Sequence, residues 1–179
     1  MKIGLLGDGR LVVVSRDLNV CTDVRHVAPT LQAALAGWAE AGPQLELIAR
    51  SLEAGGQPEE RFHERAARAP VPWDGVAEPR APLDGEGMEV APEVVPLVGA
   101  NGTCMLVLAS GEEGAAGRTF APAAVTPDEL APGAVVRVAV NGAPAEGSLK
   151  LAAGDTVRVE MCDAAGRSVF GAIERTVEG

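Results

Sequence analysis

The side chains of this chain that could do chemistry are few: His26 and His63, Cys21, Cys104 and Cys162, Ser110, and the carboxylates Glu86, Glu89 and Glu93. Cys21 and His26 are close in sequence, but a structural zinc takes four ligands and no partner pair is spaced to complete the set. The cysteines are odd in number and far apart, with no C-x-x-C pair, and read as free, mostly buried thiols. A Ser-His-Asp set assembles in space, so spacing does not exclude one. Yet no serine lies in a G-x-S-x-G elbow, and Ser110 before Gly111 reads as a loop serine. The glutamates say more. Residues at even separation share a face of a strand, so Glu89 and Glu93 could converge on a hard cation. Pro92 between them argues against a regular central strand, and a solvated acidic edge is the plainer alternative.

The elements that must position these groups come from a chain of 179 residues, room for one domain or one domain with an appendage. At 47% hydrophobic it is too apolar for a disordered polymer. Three Phe, two Trp and no Tyr leave Ala, Val and Leu to build the core, and give no aromatic platform for single-stranded nucleic acid. A net charge of −10 repels phosphate backbones and anionic lipid. Nucleic acid and membrane are therefore excluded as partners. The bases are almost all Arg, with Lys2 and Lys150 the exceptions, a bias that matches a GC-rich genome more than selected anion binding. No run approaches the ~20 apolar residues of a membrane span. The start MKIGLLGDGR turns polar too soon for a signal peptide. A cytoplasmic location is the expectation.

Residues 2–14 predict a β-hairpin around Gly7-Asp8-Gly9, because Asp-Gly supplies the positive φ angles of a tight turn. The spacing GLLGDG is not a dinucleotide fingerprint, since the β-branched run Leu11–Val14 stands where a helix must begin. Ala28–Ala41 predicts a helix capped by Thr30 and ended by Gly42-Pro43, with Leu31, Leu35 and Trp38 on one face. A second helix follows, with Leu45, Ile48 and Leu52 at helical spacing and a stop at Gly55-Gly56. Charged residues 59–68 predict a short exposed helix. Pro70, Pro72, Pro79 and Pro82 then remove backbone donors and mark a linker. Beyond it, strands are expected at 89–98, 104–109, 134–140 and 156–161, with a short apolar run at 168–173. Turns at Asn101-Gly102, Asn141-Gly142, Gly154-Asp155 and Ala165-Gly166 separate them.

Three segments carry a family resemblance. The C-terminal GDTVRVEM (154–161) and DAAGRSVFGAIE (163–174) closely resemble the end of bacterial fumarylacetoacetate hydrolase family proteins. DGRLVVVSRDL followed by APTLQAAL is similar to their small N-terminal domain, and TFAPAAVTPDEL (119–130) to their F-x-P-x-x-V-T-P-D-E-L segment. The matches fall in the right order, but members of this subgroup are far longer. The resemblance implies an α+β fold: an N-terminal hairpin-plus-helices unit (1–68), a Pro-rich linker (69–87) and a reduced mixed β-roll (88–179).

The family's chemistry, by resemblance, is hydrolysis or decarboxylation beside carbonyls of small dicarboxylate-like substrates, using Mg²⁺ or Mn²⁺ held by an E-x-E pair and a later Asp. Alignment keeps the second Glu as Glu93, places the first on Ala91, the Asp on Ala109 and the family's lysine on Ala115, and finds no counterpart of the catalytic His in 73–87. Mg²⁺ takes oxygen ligands in near-ideal geometry and gives up its waters reluctantly, so no metal and no cofactor is expected, with binding no better than millimolar. Two readings follow. In the first, a metal-independent lyase, isomerase or hydrolase acts on a small acidic or β-dicarbonyl metabolite, with Glu93 or Glu89 as general base and Arg118, beside Thr119, binding an anionic group. In the second, a non-catalytic scaffold pairs with a longer relative. Missing segments should also bare strand edges, so a homodimer or heterodimer is expected, with Val157, Val159, Phe170 and Ile173 as the floor of its interface.

Overall fold

A computed structural model describes residues 1–71, 83–84, 92–99, 102–110, 119–146 and 151–178. In chain order the elements are β1 (Lys2–Leu5), β2 (Leu11–Val14), β3 (Val20–Asp23), α1 (Leu31–Ala36), α2 (Trp38–Glu53) and β4 (Glu60–Arg61). There follow β5 (Leu83–Asp84), β6 (Pro92–Gly99), β7 (Gly102–Ser110), β8 (Thr119–Phe120), β9 (Ala123–Val125), β10 (Val135–Val140), β11 (Ala143–Ala145), β12 (Thr156–Cys162) and β13 (Ile173–Glu178). The fold is α+β and mostly strand.

The strands lie in two sheets. The larger runs β4-β3-β2-β1-β9-β7-β6, with β8 also on β7, and every pair in it is antiparallel. The smaller runs β11-β10-β12-β13-β5. β1 pairs with β2 on one side and, through Lys2↔Val125, Ile3↔Ala124 and Gly4↔Ala123, with β9 on the other. One sheet thus crosses the sequence stretch 69–87. Side chains alternate between its faces. Ile3, Leu11, Val13, Leu97, Met105 and Val107 meet the helices in one core. On the other face Leu108 and Val125 meet Val157, Val159, Phe170 and Ile173 of the small sheet and its loops, while Val12 and Val14 meet Phe62. Burial on both faces explains why β2 reads LVVV without a polar residue.

Several expectations change in detail. The β1–β2 connection spans Leu6–Arg10, and there Gly9 alone takes a positive φ. Thr30 caps α1 as read, its hydroxyl accepting from Ala33 N at 3.1 Å. The helix break, however, falls at Gly37, and α2 runs through Pro43. Proline there gives up the bond to the Ala39 carbonyl, but Ala39 is an exposed residue, and Trp38 lies flat on Gly42, where a Cβ would stand 3.0 Å from its ring. Residues 59–68 are not a helix. Arg61 pairs with Val20, the Arg10 guanidinium grips both oxygens of Glu60 at 2.6 and 3.0 Å, and only Glu64–Ala66 make a 3₁₀ turn. Of the stretch read as linker, Leu83–Asp84 lie parallel to β13, while 72–82 and 85–87 fall outside the described residues. Asn141-Gly142 is the two-residue hairpin turn expected, with φ of 51° and 79°. The apolar run 168–173 is a loop until Ile173 opens β13. All three cysteines are free and buried.

Val157, Val159, Phe170 and Ile173 are not an interface floor. They are the core between the sheets, and Phe170 is 0% exposed. The exposed large apolar residues among those described are Leu47, Val98, Val135 and Val136. Phe170→Ala should therefore cost about 3–5 kcal/mol in urea unfolding, whereas Val98→Ala, 64% exposed, should stay within about 0.5 kcal/mol.

Candidate functional site

The sequence-derived site falls at one end of the large sheet, where β6 begins, β7 ends and β8 begins. Glu93 stands directly across from Ala109, and Ala109 from Phe120; Pro92 stands across from Ser110, and Ser110 from Thr119. Directly opposed residues share a face with Cβ atoms about 4.5–5.5 Å apart. Glu93, Ala109 and Phe120 therefore take the helix-side face, with Ala109 and Phe120 in the helix-side core. Ser110 and Thr119 take the other face. Glu93 is exposed, while Thr119 is fully buried and its hydroxyl donates to the Ser110 carbonyl at 3.4 Å. Glu93 and Thr119 are two strands apart, roughly 10 Å, on opposite faces. Glu86, Glu89, Ala91, Ala115 and Arg118 lie outside the described residues. Ser110 is a buried strand end rather than a loop serine.

The pairing of Glu93 with Ala109 bears on metal binding. Those two positions, on neighbouring strands and one face, are where the resemblance implies two of three carboxylate ligands, and one carboxylate remains. Among the described residues no three His, Cys, Asp or Glu side chains come together to hold an ion. Among the described residues of this sheet end, the single carboxylate of Glu93 is too few donors for a divalent ion held by oxygens. Cys21 does not serve either. Burial, with Glu60 adding, pushes its thiol up to about 12, which disfavours the nucleophilic thiolate at neutral pH. His26 instead lines a shallow cavity of about 340 Å³ with Thr22, Asp23 and Glu59.

A second polar centre lies elsewhere on the large sheet. Lys2, midway across the large sheet, is 4% exposed and lines two cavities of about 190 Å³ each. Its Nζ donates to the Ser168 carbonyl at 2.9 Å. Burial lowers its pKa to about 8, against the pull of Glu129, Glu64 and Asp163. Around it, Glu129 accepts from the Met1 amine at 2.7 Å. Burial works against the Glu129 charge, yet that bond holds its carboxyl below the usual range. Asp163, low because it accepts from the Arg167 amide and guanidinium, closes the far wall. The only hint available in sequence was a lysine alternating with core residues in a strand.

A lysine with lowered pKa costs stability while both folded and unfolded forms are charged, below pH 8. The cost is relieved as pH rises to 10.5, where the unfolded lysine also loses its proton. Unfolding of the protein across that window should show a gain of about 3 kcal/mol relative to Lys2→Met. A pH-independent difference would mean that Lys2 is not perturbed.

Residues 5–73 match the family model described as Fumarylacetoacetase N-terminal domain 2. No curated protein sequence matches the chain. Among solved structures, the maleylpyruvate hydrolase of Sphingobium sp. SYK-6 is similar at 13% identity and a TM-score of 0.69, the alignment covering 100% of both chains. The same enzyme in complex with manganese(II) ion and pyruvate is similar at 12% identity and TM-score 0.69, over 99% of both chains. At such identity the likeness is one of fold. Residues 5–73 thus match a fumarylacetoacetase-type N-terminal domain, and the chain shares the fold of the similar hydrolase along its whole length.

Proposed function

We propose that the protein is a divergent enzyme of this fold, a lyase, isomerase or hydrolase that works without the usual metal site on a small acidic or β-dicarbonyl metabolite. The observation that supports the reading is that Glu93 stands across from Ala109, so that one carboxylate occupies the two positions where the resemblance implies two. The similar hydrolase structure that holds manganese and pyruvate supports the substrate class. In this reading Glu93, or Glu89, takes the proton from the carbon beside a carbonyl, or from the attacking water. The electron pair then settles on the carbonyl oxygen. Arg118 binds the substrate's carboxylate, and Thr119, through its bond to Ser110, fixes the strand end from which Arg118 departs. No helix among the described residues is long and apolar enough to cross a membrane. The proposal places the enzyme in the cytoplasm, as a homodimer or paired with a longer relative, and takes association to use a surface other than the buried Val157–Ile173 set.

The test is turnover of a panel of 2-oxo diacids and β-diketo acids, with and without EDTA. The expected result is activity that EDTA leaves unchanged and that Glu93→Gln lowers at least 100-fold in kcat/KM. No turnover across the panel, or activity that EDTA abolishes and Mn²⁺ restores, would overturn the reading.

A further inference from the structure

The Asn141-Gly142 turn is tied down by more than its own hairpin. Asn141 N donates to the Thr156 carbonyl at 2.8 Å. The side chain continues the same ladder: Oδ1 accepts from Thr156 N at 2.9 Å, and Nδ2 donates to Asp155 Oδ1 at 2.8 Å. Asp155 is fixed in turn, since its second oxygen accepts from Ala152 N at 2.8 Å. Donation from Ala152 N, then from Asn141, holds the Asp155 carboxyl below its usual range, so it is charged at neutral pH. These bonds fasten the tip of the β10–β11 hairpin to the start of β12, one step beyond the last strand pair, Val140↔Val157. Asn141 is nevertheless exposed, and so is Gly142, where an added Cβ would meet nothing within 4 Å.

An asparagine followed by glycine has a reaction of its own. The glycine amide nitrogen, giving its proton to water, attacks the side-chain Cγ, and the side-chain nitrogen leaves as ammonia. Water then opens the succinimide to aspartate or isoaspartate, so one water is consumed and one ammonia released. Glycine favours the attack because no Cβ shields its nitrogen. At Asn141 the reaction and the clamp compete for the same atoms. Closing the ring turns the side-chain amide toward the Gly142 nitrogen, and both bonds to the start of β12 oppose that rotation. The nitrogen that must leave is the one Asp155 holds. We propose that Asn141 is a deamidation site whose rate Asp155 holds down, and that the reaction turns the clamp into a repulsion. The product carboxylate has no hydrogen to give Asp155, and each of two carboxylates at such a distance disfavours the other's charge. Isoaspartate also adds a methylene to the backbone of a two-residue turn. The modified tip is thereby released from β12. The turn belongs to the small sheet and Glu93 to the large one, so the site is independent of the catalytic reading.

The chain has two Asn-Gly pairs, Asn101-Gly102 and Asn141-Gly142. Peptide mass spectrometry of the whole protein, incubated at neutral pH with and without unfolding urea, reads the conversion of each asparagine to acid. Folded protein should convert Asn141 about tenfold or more slowly than unfolded protein, because the amide reacts only from the locally opened turn. Asp155→Ala should raise the folded rate about tenfold, the scale of one hydrogen bond to a charged group, and leave Asn101 unmoved. Asn141→Asp, which is the aspartate product, should lower the urea midpoint. Adding Asp155→Asn should restore it, because the exchanged pair again sets an amide against a single carboxylate, with the new side-chain carbonyl accepting from Ala152 N. A folded rate equal to the unfolded one, a rate indifferent to Asp155→Ala, an equal rise at Asn101, or an Asn141→Asp defect that Asp155→Asn leaves in place would each overturn the proposal.

Discussion

Strand β1 is bonded along both edges, to β2 through a short connection and to β9 across more than a hundred residues of chain. A four-residue strand so placed has no free edge and no exposed face. Ile3 lies in the helix-side core, while Gly4 lies under the Phe62 ring, close enough that a Cβ would stand 2.9 Å from it. This seam is what joins the fumarylacetoacetase-like N-terminal region to the β-rich remainder. The helical layer crosses it as well: α2 packs on β2 and α1 on β6, with the Leu35 carbonyl tight against Gly99. Backbone pairing between distant segments is costly in loop entropy. Here apolar burial on both faces of the sheet offsets that cost.

The polar features follow from the same constraint. Lys2 is buried because the strand that carries it lies between Val14 and Val125, so its ammonium has to find partners on the second-sheet side rather than in water. Those partners come from Ser168, Glu129 and Asp163, each in a loop or turn beyond residue 125. The sheet end with Glu93 differs in kind. There Glu93 is exposed on the outermost strand, and the residue across from it is the buried Ala109. One site is a buried ammonium held by a carbonyl among carboxylates, and the other an exposed carboxylate across from a small apolar residue.

Much of this was legible in sequence wherever local physics decides. Alternation in 156–161, the Asn141-Gly142 turn and the Thr30 cap each name their own conformation within a few residues. The family-like segments carried the α+β fold, and the sheet sets Glu93 across from Ala109. What was not legible depends on residues far apart. Pro43 stops a helix by propensity, yet Leu45, Ile48 and Leu52 hold α2 against the core and the helix continues through it. Glu60 and Arg61 look solvated until Arg10 and Val20 recruit them to the sheet. Phe170 looks like surface left bare by missing segments until the small sheet is seen to close over it. Lys2 looks like a hairpin's first polar residue until β9 arrives on its other side.

The central claim is that β1 makes one cooperative unit of the two sequence regions, and native-state hydrogen exchange under increasing denaturant tests it most directly. Amides of β1, β2, β7 and β9 should exchange through a common opening, with one free energy and one denaturant dependence, as expected of segments that unfold together. If the amides of residues 1–71 opened as a separate unit, well below the free energy of those in 102–125, the seam would be a contact between two independent bodies and the account would be wrong.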